Sequence, residues 1–352
     1  MVRKKFQDFD ALLKSYEYEL PKRRIAMKPA KPRDAARLLV YERKTGNISF
    51  DRFANLDRHL PAGAVLVLND TKVVPARLIT KFGRKRVELF YVGRDRGTLL
   101  MIADHPLEKG SILKLGKLSF GILGREKRWY RVKPSFPAAE ILSVLDRHGH
   151  TPLPPYLEGS PLSENRRRAE YQTVFAAEKG SVAAPTASLH FTERLLGRLK
   201  KRGIGIVHVT LHVNLGTFAP LNFEQFSGNR LHEEEYEITP AAARALNLAK
   251  RAHRPIIAIG TTVCRTLESA VLRRGSGSAK IKDGRGATRL FIRESYLFRF
   301  VDGLITNLHV PRSSLMMLVA ALVGRKELLN LYALAVKKKM RFLSFGDAML
   351  IN

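Results

Sequence analysis

AAPTASLHFTERLLGRLKKRGIGIVHVTLHVNLGTF, residues 183–218, reads as loop, helix, strand, loop. Thr192 is placed to cap the helix and Gly203 to end it, and GIVHVTLHV follows as a strand. Both loops carry side chains able to do chemistry: Thr186, Ser188 and His190 before the helix, His212, Asn214 and Thr217 after the strand. Pro185 and Gly216 punctuate the two ends. Regular elements hold loop side chains in place, so a helix–strand unit with polar loops is a common scaffold for a site.

Working outward, the C-terminal side keeps alternating strand with helix. TPAAARALNLAKRAHR has Thr239 as cap and Pro240 at the first helical position. PIIAIG is a strand and TTVCRTLESAVLRRG a helix; ATRLFI and FRFVDGLIT are strands. Residues 313–339 are helical with a break near Gly324, and RFLSFGDAMLI closes as a strand. Such alternation predicts an α/β fold with a mostly parallel sheet covered on both faces. Ligands then sit at the C-terminal ends of the strands.

On the N-terminal side, residues 1–30 are mixed and basic, and read as an extended arm. Residues 37–53 are a hairpin about Lys44-Thr45-Gly46-Asn47. AVLVLND, residues 64–70, is a nearly continuous apolar run that suits a strand buried on both faces. Between Lys72 and Lys133 the texture changes to short strand-like runs separated by Gly and charged turns. That rhythm predicts a small antiparallel β-barrel or sandwich. A helix over 137–149 and the Pro-fixed TPLPPYLEG lead back. The expected division is residues 1–71 plus 151–352 as the α/β catalytic domain, with 72–150 inserted.

The charge limits the partners. In 352 residues, 62 Lys+Arg face 32 Asp+Glu, a formal net charge of +30. A field of that size favours a polyanion such as nucleic acid. With one cysteine, Cys264, no intrachain disulfide forms and no cysteine metal site is expected. No apolar run reaches the roughly 18 residues needed to span a bilayer. No apolar segment follows Arg3, Lys4 and Lys5 as a signal peptide requires. These readings suggest a soluble, cytoplasmic protein.

Several strand ends carry polar groups that the fold would bring to one edge. Asn69, Asp70 and Thr71 follow one strand, and His212 follows the next. Gly260, Thr261 and Thr262 open a helix whose amides suit an anion, although the same text fits a plain strand-to-helix turn. His232 and Glu234, two apart, share a face if extended and could make an oriented general base; an exposed acidic run is the plain alternative. Arg265 and Glu268 have the spacing of a helix-surface ion pair. Arg77 is placed to pair with Asp70 or bind a carboxylate. His309 precedes a helix capped by Ser313 or Ser314, and Asp347 sits at the last strand. The histidines are too dispersed for a zinc motif, and no metal is expected.

LVLNDTKVVPARL, AAPTASLHFT, VTLHVNLGTF, the His-x-Glu of LHEEEYE, GTTVCRTLES, LITNLHVPRSSLMMLVAAL and RFLSFGDAMLI run in order from Leu66, through Asn69, to the C-terminus. In that order they resemble the signature segments of the S-adenosylmethionine:tRNA ribosyltransferase-isomerase family of queuosine biosynthesis. The resemblance implies a Rossmann-like three-layer α/β domain with an inserted small antiparallel β-barrel. It implies transfer and isomerisation of the ribosyl part of S-adenosylmethionine onto 7-aminomethyl-7-deazaguanine in a tRNA anticodon. Adenine and methionine leave, and S-adenosylmethionine is a consumed co-substrate, with no further cofactor. The implied partner is a tRNA with a GUN-type anticodon; no DNA or membrane partner is expected, and a monomer is the expected state. The residues assigned to acid–base work are His212, His232 and Glu234. Thr186, His190, Thr261, Thr262 and Arg265 would line the donor pocket, with Asp70, Arg77, Asn307, His309 and Asp347 at its rim. Ser188 and Asn214 stand where the family usually has glycine. A basic RNA-binding module on the same fold, or an enzyme with another acceptor, is the alternative reading.

Overall fold

The computed structural model describes residues 2–126, 129–213, 220–272 and 279–352. The chain begins with α1 (Val2–Lys14), then the hairpin β1 (Arg37–Glu42) and β2 (Asn47–Arg52), and the central strand β3 (Val65–Asn69). Short β4 (Thr71–Val73) leads into β5 (Arg77–Phe82), β6 (Lys85–Asp95), β7 (Thr98–Ala103), β8 (Ile112–Leu115), β9 (Leu118–Glu126) and β10 (Trp129–Pro134). Next come α2 (Ile141–His148), α3 (Glu164–Glu170), β11 (Glu178–Ser181), α4 (Glu193–Lys201) and β12 (Gly205–Leu211). Then follow α5 (Phe223–Ser227), β13 (Arg230–Ile238), α6 (Pro240–Arg251), β14 (Ile256–Ile259), α7 (Thr261–Ala270) and β15 (Gly284–Leu290). The chain ends with β16 (Gly303–Asn307), α8 (Ser314–Val323), α9 (Arg325–Lys337) and β17 (Ala348–Ile351).

One sheet runs β15-β13-β12-β3-β14-β16-β17-β1-β2. Its central strands β3, β14, β16 and β17 are buried at every position because both faces are covered, and their residues alternate between two cores. Val65, Val67, Ile256 and Ala258 pack on one side with α6, α7, α8 and α9. Leu66, Leu68, Ile257 and Ile259 pack on the other with Leu195 and Leu199 of α4. Helix, sheet and helix therefore form three layers. β5 to β10 close into an antiparallel barrel around Leu78, Leu89, Met101, Phe120 and Val132. The chain leaves and rejoins the layered body beside itself: β4 pairs with β11, and Arg77 bridges His150 through N–H···O contacts of 3.1 and 2.7 Å.

Three expectations change. The N-terminus is not an extended arm but helix α1. Phe6, Phe9 and Leu13 recur at helical spacing, and Phe6 stacks on Phe223 of α5 with centroids 3.6 Å apart. The sheet is mixed rather than mostly parallel, because β12–β13, β13–β15, β16–β17 and β1–β2 are antiparallel. Helices α8 and α9 fold back as a pair and return the chain to the edge it left, so β17 must run against β16. The last strand starts only at Ala348. Asp347 accepts hydrogen bonds from the amides of Arg37 (3.0 Å) and Arg341 (2.8 Å), which folds the preceding residues into a turn.

Candidate active site

The parallel strands β12, β3, β14 and β16 share one direction, so Leu211, Asn69, Ile259 and Asn307 end at one edge of the sheet. Buried Asn69 ties that edge together. Its Nδ2 donates to Leu211 O (2.9 Å), and its Oδ1 accepts from the amides of Leu211 (3.0 Å) and Thr71 (3.1 Å). Three groups of predicted residues lie along the edge and beyond it.

The first lines a cavity of about 30 Å³. At roughly 10–15 Å³ per water, that is room for about two waters or one carboxylate. His232, Glu234, Thr261, Thr262 and Arg265 all face it. β13 is extended, so His232 and Glu234 do share a face. Thr261 and Thr262 are the first two residues of α7, reached through Gly260, whose φ of +93° turns the chain sharply out of β14. Ser314 and Leu315, the first two residues of α8, face the same space. Two helix N-termini, each with free first-turn amides and a partial positive charge, therefore open on it. Gln225, which completes a capping box with Asn222, is a further polar wall residue. For Gln225 and Ser314 the sequence offers no signal beyond their place in the first turn of a helix.

Arg265 does not pair with Glu268. Both residues are buried rather than on a helix surface. Arg265 Nη1 forms an ion pair with Glu234 Oε2 of β13, and Nε donates to Leu290 O (2.9 Å). Nη2 is buried without a hydrogen-bond partner. Glu268 instead accepts from the amides of Arg299 (3.0 Å), Phe300 (3.0 Å) and Val301 (2.9 Å) and from Tyr296 Oη (3.1 Å). Nor is Glu234 part of an exposed acidic run, being 2% exposed.

The second group centres on Asn307. Thr186 Oγ1 donates to Asn307 Oδ1 (3.0 Å), and Asn307 Nδ2 donates to Leu343 O (3.2 Å) and to His190 Nε2 (3.3 Å). Burial, reinforced by the Arg341 and Arg33 cations, pushes the His190 pKa down to about 3. Ser188 Oγ, in the same turn, is buried without a partner. Nearby His309 is bonded through Nε2 to Thr306 Oγ1 (2.9 Å), and burial alone holds its pKa at about 3. Asp347 is committed to its backbone contacts and to Arg341 Nη2 (3.3 Å).

The third group faces the barrel side. His212 Nδ1 lies 2.8 Å from Thr71 Oγ1, and its ring packs on Gly180 so closely that any Cβ there would come within 2.9 Å. Burial lowers the His212 pKa, with the carboxylates of Glu235, Glu178 and Asp70 pulling it back up. Asp70 accepts from Thr210 Oγ1 (2.7 Å) and is raised by burial. It does not pair with Arg77, which reaches Glu88 on the next barrel strand (3.5 Å). Asn214, Gly216 and Thr217 lie outside the described residues. Among the described residues no cluster of three or more His, Cys, Asp or Glu could hold a metal, and no helix is long and apolar enough to cross a membrane.

Known proteins share this architecture and sequence. A solved structure, an S-adenosylmethionine tRNA ribosyltransferase from Thermotoga maritima, covers 96% of this chain and 100% of its own, with 32% identity and a TM-score of 0.54. The S-adenosylmethionine:tRNA ribosyltransferase-isomerase of Heliobacterium modesticaldum is 45% identical over 347 residues, 96% of this chain and 98% of that one. The Moorella thermoacetica protein of the same name is 43% identical over 356 residues, covering 96% and 99%. A family model described as queuosine biosynthesis protein matches residues 13–351. Agreement sustained across nearly the whole length, through body and barrel alike, means that this chain belongs to the queuosine biosynthesis protein family.

Proposed function

We infer that the protein is an S-adenosylmethionine:tRNA ribosyltransferase-isomerase acting in queuosine synthesis. The observation that carries this is 45% identity over 96% of the chain to a relative of that name. In this reading the ribosyl group of S-adenosylmethionine passes to 7-aminomethyl-7-deazaguanine at the wobble position of a GUN-type anticodon. It rearranges there to an epoxycyclopentanediol, and adenine and methionine leave.

The reaction needs a base to take a proton beside the sulfonium and an acid to assist adenine's departure. A useful acid–base group has a pKa near the working pH. His190 and His309, neutral with pKa values of about 3, are too weak as bases and are held by hydrogen bonds. That leaves His232 and the less deeply buried His212 for the acid–base work. Glu234 is tied to Arg265, so its role is to hold that guanidinium. Thr261 and Thr262, which line the cavity at the α7 N-terminus, would face the donor.

We take residues 72–150 as the inserted unit and its barrel as the tRNA-docking side. Residues 77–134 hold 15 Lys+Arg against 5 Asp+Glu, leaving 47 against 27 for the rest of the chain. One sixth of the length thus carries a third of the net charge, which concentrates the attraction for phosphates there.

The test is adenine release from S-adenosylmethionine with tRNA bearing the aminomethyl-deazaguanine base, together with the mass of the modified nucleoside. An epoxyqueuosine mass is expected. His232→Ala should lower turnover by roughly 10²- to 10⁴-fold with tRNA binding unchanged; full turnover in that variant removes His232 from the mechanism.

A further inference from the structure

The Arg265 guanidinium has a spare hand. Two of its three nitrogens are engaged, Nη1 by Glu234 and Nε by Leu290 O, while Nη2 is buried with no partner. Arg265 is 6% exposed, and a buried donor without an acceptor is an unfavourable arrangement unless something else supplies one. The cavity it lines is also where the α7 and α8 N-termini open, at Thr261-Thr262 and Ser314-Leu315. Two helix ends and a guanidinium outweigh the single charge of Glu234, so the space favours an anion.

The walls say which anion. Leu221, Leu231, Ile292, Leu315 and Leu318 make the rest of the lining apolar. A phosphate within an RNA strand continues into polar backbone on both sides and does not match such walls. A planar carboxylate on a short methylene chain does: its two oxygens fit a guanidinium edge and helix amides, and its methylenes fit the leucines. The cavity, at about 30 Å³, accepts a group of that size and not a nucleoside. The carboxylate of Glu234 stands beside it, the group an α-ammonium would meet.

We propose that this cavity is the subsite for the methionine end of S-adenosylmethionine, with the α-carboxylate seated between Arg265 Nη2 and the N-termini of α7 and α8. The assignment rests on the functional reading above. It makes Arg265 a binding residue, Glu234 its positioning partner, and directs the ribosyl group outward to the cavity mouth.

The experiment compares S-adenosylmethionine with its decarboxylated analogue, which keeps the sulfonium, the ribosyl group and adenine but lacks the carboxylate. Dissociation constants are measured calorimetrically on the full chain, with adenine release on modified-base tRNA measured alongside. Loss of charge-assisted hydrogen bonds should weaken the analogue roughly ten- to hundredfold on the unaltered protein. Arg265→Lys keeps a cation for Glu234 but removes the fork, and should shrink the difference between the two ligands to within about threefold. Thr262→Val, a milder change at the α7 end, should leave a smaller shift in the same direction. Equal constants on the unaltered protein, with turnover intact, overturn the subsite and leave the function standing. Binding of neither ligand overturns both.

Discussion

Two polar clusters sit along the same sheet edge and are built on opposite plans. Around Asn307, both amide hydrogens and the carbonyl are engaged, by His190, Leu343 and Thr186. Around Arg265 one donor is left over. The first cluster ties a turn, a strand end and a loop into one piece. The second is equally buried but unfinished. The Asn307 side chain is fully engaged although Ser188 Oγ in the turn beside it is not, whereas Arg265 keeps its spare donor on the wall of a cavity; it is the adjoining cavity, more than the unmade bond, that sets the second cluster apart.

Substitutions should separate the two plans. Glu234→Ala strands a buried guanidinium and should lower unfolding free energy by about 3–5 kcal/mol in denaturant titrations; Glu234→Gln should cost less. If Glu234→Ala unfolds like the parent, the pair is not the anchor of the open cluster. Asn307→Ala leaves Thr186 Oγ1 and Leu343 O without their partner, for a loss of about 2–4 kcal/mol. Because the closed cluster is architecture, affinity for S-adenosylmethionine should change little in that variant below its unfolding midpoint. A large affinity loss there would erase the distinction.

Acid tests the closed side in another way. Folded His190 and His309 take up protons near pH 3, whereas the unfolded chain's histidines do so near 6.5. Unfolding therefore binds protons between those values, and stability, full above pH 6.5, falls as pH is lowered through the window. With both residues contributing, the slope should approach about 2.7 kcal/mol per pH unit. His309→Gln should roughly halve it; an unchanged slope would mean that other groups carry the acid sensitivity. The smallest effect belongs to the barrel. Arg84→Ala with Lys85→Ala, both exposed at the turn between β5 and β6, should flatten the salt dependence of tRNA binding by about 0.8 in log–log slope per lost phosphate contact, with turnover at saturating tRNA unchanged.

The fold was legible where text and burial obey the same period. The unbroken AVLVL run, the Thr192, Thr239 and Ser313 caps and the ten-residue rhythm of the barrel all survive in the structure. The α1 stripe escaped because Arg3, Lys4, Lys5 and Asp8 dilute it. The direction of β17 escaped because an α8–α9 return is invisible in a list of elements. Within the candidate site, residue types were readable but partners were not. Arg265 looked paired to Glu268 three positions away on α7, yet its carboxylate comes from Glu234, 31 positions back on strand β13. Spacing reports neighbours on one element; it says nothing about which element is folded against it.

The bridge between Arg77 and His150 has a consequence for ancestry. The chain leaves for the barrel and returns from it at two residues hydrogen-bonded to each other, and Gly149 is pressed so close to Pro75 O that no larger residue fits. A host chain that acquires a segment at such a point has no new gap to close, since the two ends were already neighbours. The acquired piece is free to lengthen, shorten or change its surface while the host's own contacts stay in register. A change in the barrel's surface can therefore be drafted without rewriting the residues beside the sheet.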